Sequence, residues 1–249
     1  MNKIFFVKSF SACSPDIEFF GNLKLQVSDI DKTLIPVDMR RRTSLATRMA
    51  ITVAKNSCIK ASVQTSNLPS VFASLGGEIQ ITDNLLRSLN DDTELSPTQF
   101  LNSVHNTTAG YWGILNQCQA PTTALSAADD TFAMGLMEVC VQLQSYGGDC
   151  LLVCYDEIWP QYLAPPKGRI AFACSLVLSS KADGALASFT MPQIDCSTSV
   201  SFSEEHKVLA ESAPAAAAIP LLLALQNKNS ACLPLNIISP IWSSELTVF

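Results

Sequence analysis

The chain predicts a layered α/β fold around a mostly parallel sheet, on three observations. Segments with strand and helix patterning alternate along most of the sequence. Two runs, Cys150 to Tyr155 and Ile170 to Leu178, have the apolar character of strands covered on both faces. Between them and the N-terminal part, Phe132, Leu136, Val139 or Cys140, and Leu143 recur at helical spacing, which gives one helix a buried face.

Taken in order, Lys3 to Val7 and Leu23 to Val27 read as short strands joined by polar turns, ending at Ile35-Pro36-Val37-Asp38. A helix of about residues 39–55 follows, because Leu45, Met49 and Val53 share a side that Ala46 and Ala50 thin for close packing. Ile59 to Thr65 alternates as a half-buried strand does and runs into the loop Ser66-Asn67-Leu68-Pro69-Ser70. Gly76-Gly77 reads as a turn, since the Gly-Lys-Ser/Thr of a phosphate-binding loop does not follow. Thr82 or Asp83 caps a helix carrying Leu85, Leu86 and Leu89, and Asn90 to Glu94 is a polar loop.

Ser96 then caps a short helix through Val104, with Pro97 at the first position, where no N–H is needed. Asn106, Ala109 and Gly110 allow a tight turn into a second helical piece, Ala120-Pro121 stops it, and Thr122 to Ala127 is extended. Asp129 and Asp130 sit just past that strand, where the Phe132 helix opens; Tyr146-Gly147-Gly148 ends it. Asp156-Glu157-Ile158-Trp159-Pro160 begins a Pro-rich link. Ala213 to Leu225 is the most apolar window, a buried helix or packed loop: it is shorter than the roughly 20 residues of a membrane span, and Pro214 and Pro220 interrupt it.

Composition narrows the function. With 48% hydrophobic and 15% charged residues, some apolar surface is expected to meet another subunit. A formal charge of −6, with no basic run beyond Arg40-Arg41-Arg42, argues against nucleic acid as a partner. The nine cysteines (Cys13, Cys58, Cys118, Cys140, Cys150, Cys154, Cys174, Cys196 and Cys232) contain no Cys-x-x-Cys pair, so they read as buried thiols of a cytoplasmic protein. His105 and His206 are too few and too far apart for a metal site, and no cofactor is implied. Lys8 cuts the apolar run after Ile4 short of a secretion signal.

The stretch from Leu95 to Asp130 carries the most information. A strand ending at a helix N-terminus is where backbone N–H groups converge and nucleophile or oxyanion sites are built. Through Ser96-Pro97, Val104-His105-Asn106, Ala109-Gly110 and Pro121, this stretch resembles the N-terminal half of the β-ketoacyl synthases, condensing enzymes of thiolase fold. Arg40 and Arg41 after Met39 resemble a Met-Arg-Arg motif of that family, and Asp149 resembles its next strand entry. The resemblance covers about residues 40–157.

It implies an α/β thiolase-like fold in which residues 1–160 form the ketoacyl-synthase-like N-terminal half and 161–249 a shortened C-terminal remnant on the same core. It also implies that Asp129, with Asp130 as the one-residue alternative, occupies the position of the nucleophilic cysteine. A carboxylate cannot carry an acyl group as a thioester, and the His-Gly-Thr segment of the second half is missing, which leaves His206 isolated. As neighbours at a helix start, Asp129 and Asp130 point about 100° apart and do not converge as an acid/base pair; capping the helix is their plainer role. His105, between Ser103 and Asn106, is either a triad member or a hydrogen-bonded histidine of a packed turn.

The resemblance therefore implies a non-catalytic chain-length factor, like the half-length partners of aryl polyene systems. Its partner would be an active β-ketoacyl synthase, and it would meet acyl carrier protein through the complex. Residues 97–112 and Thr122 to Ala127 are expected at the interface: Gln99 and Phe100 nearest the partner's growing chain, Thr108, Tyr111 and Trp112 as further lining, and Thr122, Thr123 and Leu125 on the strand that pairs across the twofold. Two other readings stay open: an acyltransferase or hydrolase using Ser103, Ser126 or Cys140, and a stand-alone acyl-binding or scaffold protein.

Overall fold

The structure is a computed structural model and describes residues 3–163, 170–194 and 198–249. In chain order the elements are β1 (Ile4–Cys13), α1 (Ile17–Asn22), α2 (Val37–Arg40), α3 (Leu45–Lys60), β2 (Ser70–Ala73), α4 (Ile79–Asn90), α5 (Pro97–Asn102) and α6 (Thr107–Asn116). Then come β3 (Thr122–Leu125), α7 (Thr131–Tyr146), β4 (Asp149–Asp156), β5 (Phe172–Ser179), β6 (Ala187–Thr190) and β7 (Gln193–Ile194). The chain closes with α8 (Glu204–Ser212), α9 (Ile219–Gln226), β8 (Ala231–Pro234) and β9 (Trp242–Val248).

Among the described residues the strands form one nine-stranded sheet in the order β3-β2-β4-β5-β1-β6-β9-β7, with β8 on β9. The fold is α/β, as expected, but the sheet is mixed rather than mostly parallel. β2 pairs in parallel with β3 and β4, and every other pairing is antiparallel. The reason lies in the connections: helices cross over between β2, β3 and β4, whereas among the described residues none stands between β4 and β5 or between β5 and β6.

Helices cover both faces, in three layers. On β4, Leu151, Val153 and Tyr155 join the cluster of α3 (Met49, Val53) and α6 (Trp112), while Cys150, Leu152 and Cys154 join that of α7, α9 and the alanine-rich turn Pro214–Ala218. This double covering is why the strand is apolar from Cys150 to Tyr155. Gly135 lets α7 press on the sheet: a Cβ there would lie 3.0 Å from Ala73 Cβ and 3.1 Å from Leu152 Cδ1.

Several boundaries differ from the sequence expectation. Leu23 to Val27 is not a strand of the sheet; the Gln226 side chain bonds Gln26 N (2.8 Å) and Lys24 O (2.8 Å) where a neighbouring strand would. Residues 39–55 are two helices, α2 and α3, the second capped by Ser44 and running on to Lys60 because Ser57 and Cys58 are also buried. That leaves Ile59 to Thr65 as helix end and turn, with Ser62 at φ +54°, and moves the strand to Ser70–Ala73. α4 starts at Ile79 with Glu78 as its cap residue, four positions before Asp83. α5 ends at Asn102. Ala109 and Gly110 lie inside α6, and β3 stops at Leu125. Six cysteines are buried, Cys118 and Cys232 are half-buried, and Cys196 lies outside the described residues. Ala213 to Leu225 is buried throughout apart from the half-buried Leu223, and no described helix is long and apolar enough to cross a membrane.

Candidate functional site

The turn from β3 into α7 passes through a short 3-10 turn, Ala128–Asp130. Ala128 takes φ +49°, a left-handed conformation that an L side chain adopts only when its surroundings hold it there. Thr131 supplies that hold: its Oγ1 donates to Ala128 O at 2.6 Å and accepts from Ala127 N at 3.1 Å. The turn sets Asp129 in a depression of about 310 Å³ lined by Lys207, Glu211, Ile237 and Ile238. Asp130 points elsewhere. Its Oδ1 accepts from Asn236 Nδ2 at 2.6 Å, and the same buried amide donates to Ile238 O and Pro240 O and accepts from Trp242 N. The two aspartates therefore do not converge.

Neither histidine lines this depression. His105 Nε2 lies 2.8 Å from Ser74 O, and its ring and backbone close over Gly77, where a Cβ would come within 3.0 Å of His105 Cδ2. Gly77 holds φ +53° there, so His105 and Gly77 fit each other as packed-turn partners. His206 is half-buried on α8, facing Pro220, Leu223 and Leu233, and burial lowers its pKa below the ordinary histidine value. Ser103 Oγ donates to Phe100 O and Ser126 Oγ to Leu75 O, while Cys140 is buried and its thiol is pushed upward by desolvation. None of the three is hydrogen-bonded to a histidine among the described residues.

Sequence reasoning missed a polar girdle at the carboxyl ends of the parallel strands. Asp156, at the end of β4, accepts from Ser74 Oγ (3.1 Å), Leu75 N (2.8 Å) and Ala215 N (2.8 Å), tying β2, β4 and the alanine-rich turn together. Burial pushes its carboxyl up to about 6 although these bonds favour the charged form. Beside it Glu157 accepts from Gln80 N at 3.1 Å and is pushed up to about 7, chiefly by burial. Glu78 Oε1 accepts from Thr47 Oγ1 (2.7 Å) and Thr108 Oγ1 (3.0 Å). The signal was present in the sequence, since Asp156 and Glu157 follow an apolar strand directly. In the sequence alone these residues open a Pro-rich link. No group of three or more histidine, cysteine, aspartate or glutamate side chains among the described residues is arranged to hold a metal ion.

The remaining positions separate by exposure. Phe100 is 66% exposed on α5, and Gln99 and Tyr111 are half-buried. Thr108 and Trp112 turn into this subunit's own core: Trp112 packs against Phe72 and under Lys55, whose Nζ lies 5.5 Å from the ring centroid. Thr122 is exposed, and Thr123 and Leu125 are half-buried. β3 is the terminal strand of the sheet. Pro121 O and Leu125 O accept from Ser70 N and Ser74 N, so by the alternation of a parallel ladder the backbone groups of Thr122 and Ala124 face away from the sheet.

A strand entering a strained turn that presents residue 129 at a helix start, inside a three-layer α/β body, is the geometry expected of a condensing-enzyme half. The family model described as β-ketoacyl synthase, N-terminal domain, matches residues 21–236. The chain belongs to the β-ketoacyl synthase N-terminal domain family. Its thiolase-like fold is shared with solved ketosynthase structures. One is a ketosynthase (ApeO) in complex with its chain length factor (ApeC) from Xenorhabdus doucetiae: 20% identity, TM-score 0.69, covering 98% of this chain and 99% of that one. The ishigamide ketosynthase/chain length factor matches at 12% identity and TM-score 0.67, again over 98% and 99% of the two chains. A β-ketoacyl synthase from Burkholderia phymatum STM815 matches at 13% identity and TM-score 0.56, over 78% of this chain and 65% of that one. No curated protein matches the sequence. In this ketosynthase-like chain residue 129 is a carboxylate, in a depression that no histidine lines among the described residues.

Proposed function

We propose that this chain is a non-catalytic chain-length factor that pairs with an active β-ketoacyl synthase and shapes its acyl tunnel during iterative extension of an aryl polyene or related chain. The observation that carries the reading is Asp129 at the strand-to-helix turn, facing Lys207 and Glu211 instead of histidines. Acyl transfer needs a thiolate or activated hydroxyl and donors for the developing oxyanion. Decarboxylative condensation therefore has to come from a partner, which also brings the acyl carrier protein.

The free edge of β3 supports the same reading. Outward-facing backbone groups on Thr122 and Ala124 are a template for a strand of another subunit. Phe100, exposed on α5, is the aromatic best placed to enter that partner's tunnel, where bulk limits chain length because each added carbon unit must displace packed side chain. Intact-mass spectrometry tests the catalytic half of the proposal. After incubation with malonyl- and acyl-thioesters the chain is expected to carry no adduct, and Asp129→Ala in the assembled complex is expected to leave extension largely intact. A stable acyl adduct on any residue, or loss of extension in an assembled Asp129→Ala complex, overturns it.

A further inference from the structure

Three helices begin at one buried place beyond the carboxyl ends of β2 and β4. α3 brings Thr47, α4 brings its cap residue Glu78 and Gln80, and α6 brings Thr108, each from a cap or a first turn. β4 ends there with Asp156 and runs into Glu157. The three carboxyl side chains, Glu78, Asp156 and Glu157, are 1%, 1% and 3% exposed, and the charges of Glu78 and Asp156 both bear on Glu157.

Interior carboxylates need a counter-charge or a full set of donors. No lysine, arginine or histidine forms an ion pair with any of the three among the described residues. Arg48 of α3 donates to Thr43 Oγ1 and Arg40 O, Arg87 of α4 pairs with Asp83, and His105 Nε2 meets Ser74 O. Tyr155 of β4 faces the same acids, and burial together with their charge pushes its phenol upward, so it brings no counter-charge. The donors that remain are neutral. Asp156 is served by Ser74, Leu75 and Ala215, and Glu78 Oε1 by Thr47 and Thr108, while Glu78 Oε2 is buried with no hydrogen-bond partner. Partial positive charge at a helix N-terminus favours a carboxylate there, but it falls off within the first turn. Glu157 differs from the other two: Gln80 N of α4 donates to its Oε1 at 3.1 Å and Ala46 N of α3 also favours its charge, so one carboxyl joins two helix N-termini.

We propose that Glu157 is a pH-sensitive latch between the first turns of α3 and α4: protonated it fastens them, and ionised beside Glu78 and Asp156 it lets them open while the sheet stays formed. The direction follows from the surroundings. Burial, with the facing Glu78, pushes the Glu157 carboxyl up to about 7, so the latch is closed in weak acid and loosens as pH rises through that value. α4 packs on α5, so the latch governs how firmly α5 is held, whichever partner the chain meets.

Hydrogen exchange read by mass spectrometry tests this on the full chain in its soluble, purified assembly. After correction for the intrinsic effect of pH on exchange, protection over residues 44–50 and 76–84 is expected to fall roughly tenfold from pH 6 to 8, the change for a carboxyl moving from about 7 to its ordinary 4.5 on opening. Low urea is expected to leave that exchange unchanged while speeding exchange in β4 and β5, which open only with the whole chain. Glu157→Gln is expected to abolish the pH dependence in both segments. Should that variant fold poorly, the wild-type pattern with pH and urea decides alone. First turns whose exchange follows β4 and β5 in both pH and urea overturn the latch, since the cluster then acts on whole-chain stability only. A fall that persists in a folded Glu157→Gln, or no fall in the wild type, overturns it too.

Discussion

Asp130 and Asn236, 106 positions apart, share a hydrogen bond of 2.6 Å that fastens the start of α7 to the loop bordering the Asp129 depression. Asn236 is fully buried and serves three acceptors and one donor, so its loss strands several backbone groups at once. Asn236→Ala is expected to lower stability by about 2–4 kcal/mol. Asp130→Ala should cost less, because water reaches its half-buried side chain. Chemical denaturation followed by tryptophan fluorescence checks the order; equal effects contradict it.

Stability should fall as pH rises through weak acid. Burial raises Asp156 to about 6 and Glu157 to about 7, so the folded state holds their protons more tightly than the unfolded chain does. Stability from these groups is complete below about pH 4, where both states are protonated, is lost between about 4 and 7, and levels off above. Glu157→Gln should remove the upper part of the decline, on the order of 2 kcal/mol. Urea midpoints measured from pH 4 to 8 decide the matter, and a midpoint that climbs with pH across that window refutes the assignment.

Phe100→Ala and Trp112→Ala should separate cleanly. Trp112 is fully buried, so its truncation is expected to cost about 3–5 kcal/mol. Phe100 is 66% exposed, and its truncation should change stability by only about 0.5 kcal/mol while lengthening or blurring the products of the assembled complex. Melting curves beside product analysis give the comparison. A destabilised Phe100→Ala with unchanged products contradicts it.

Expressed alone, the chain is expected to aggregate, and with its ketosynthase to elute as a hetero-oligomer. Leu86, Leu89, Leu95, Phe100, Leu101, Val104 and Ile114 expose apolar surface along α4 to α6. A stable monomer that ignores the ketosynthase in size-exclusion runs contradicts this.

What could be read from the residues follows physical range. Ser96 and Pro97 start α5 as expected, because a cap and its first turn are set within four residues. The α7 face and the apolar centre of β4, Cys150 to Tyr155, were legible because burial repeats along them. Ile59 to Thr65 misled: its apolar alternation suits a strand, yet the buried Ser57 and Cys58 keep α3 helical to Lys60. The antiparallel setting of β5 was out of reach, since an apolar run pairs equally well in either direction. At the site, the turn at Asp129 followed from strand-to-helix order. The girdle around Asp156 did not, because Ser74, Leu75 and Ala215 meet it only through the fold. Thr108 and Trp112 sit on a helix whose exposed and buried faces are separated by tertiary packing alone.

β1 precedes the other strands of the sheet, yet both its neighbours, β5 and β6, begin more than 150 residues later, at Phe172 and Ala187. During synthesis β1 lacks both of these neighbours until β5 and β6 have emerged, and the sheet cannot close around it sooner. Acquisition of structure is therefore governed by distant pairing and should be slow for a protein of this length. A fragment ending near residue 160 would leave Phe5 and Val7, both core side chains, on a strand with no neighbour on either side. A cut near residue 160 therefore passes through one sheet rather than between two.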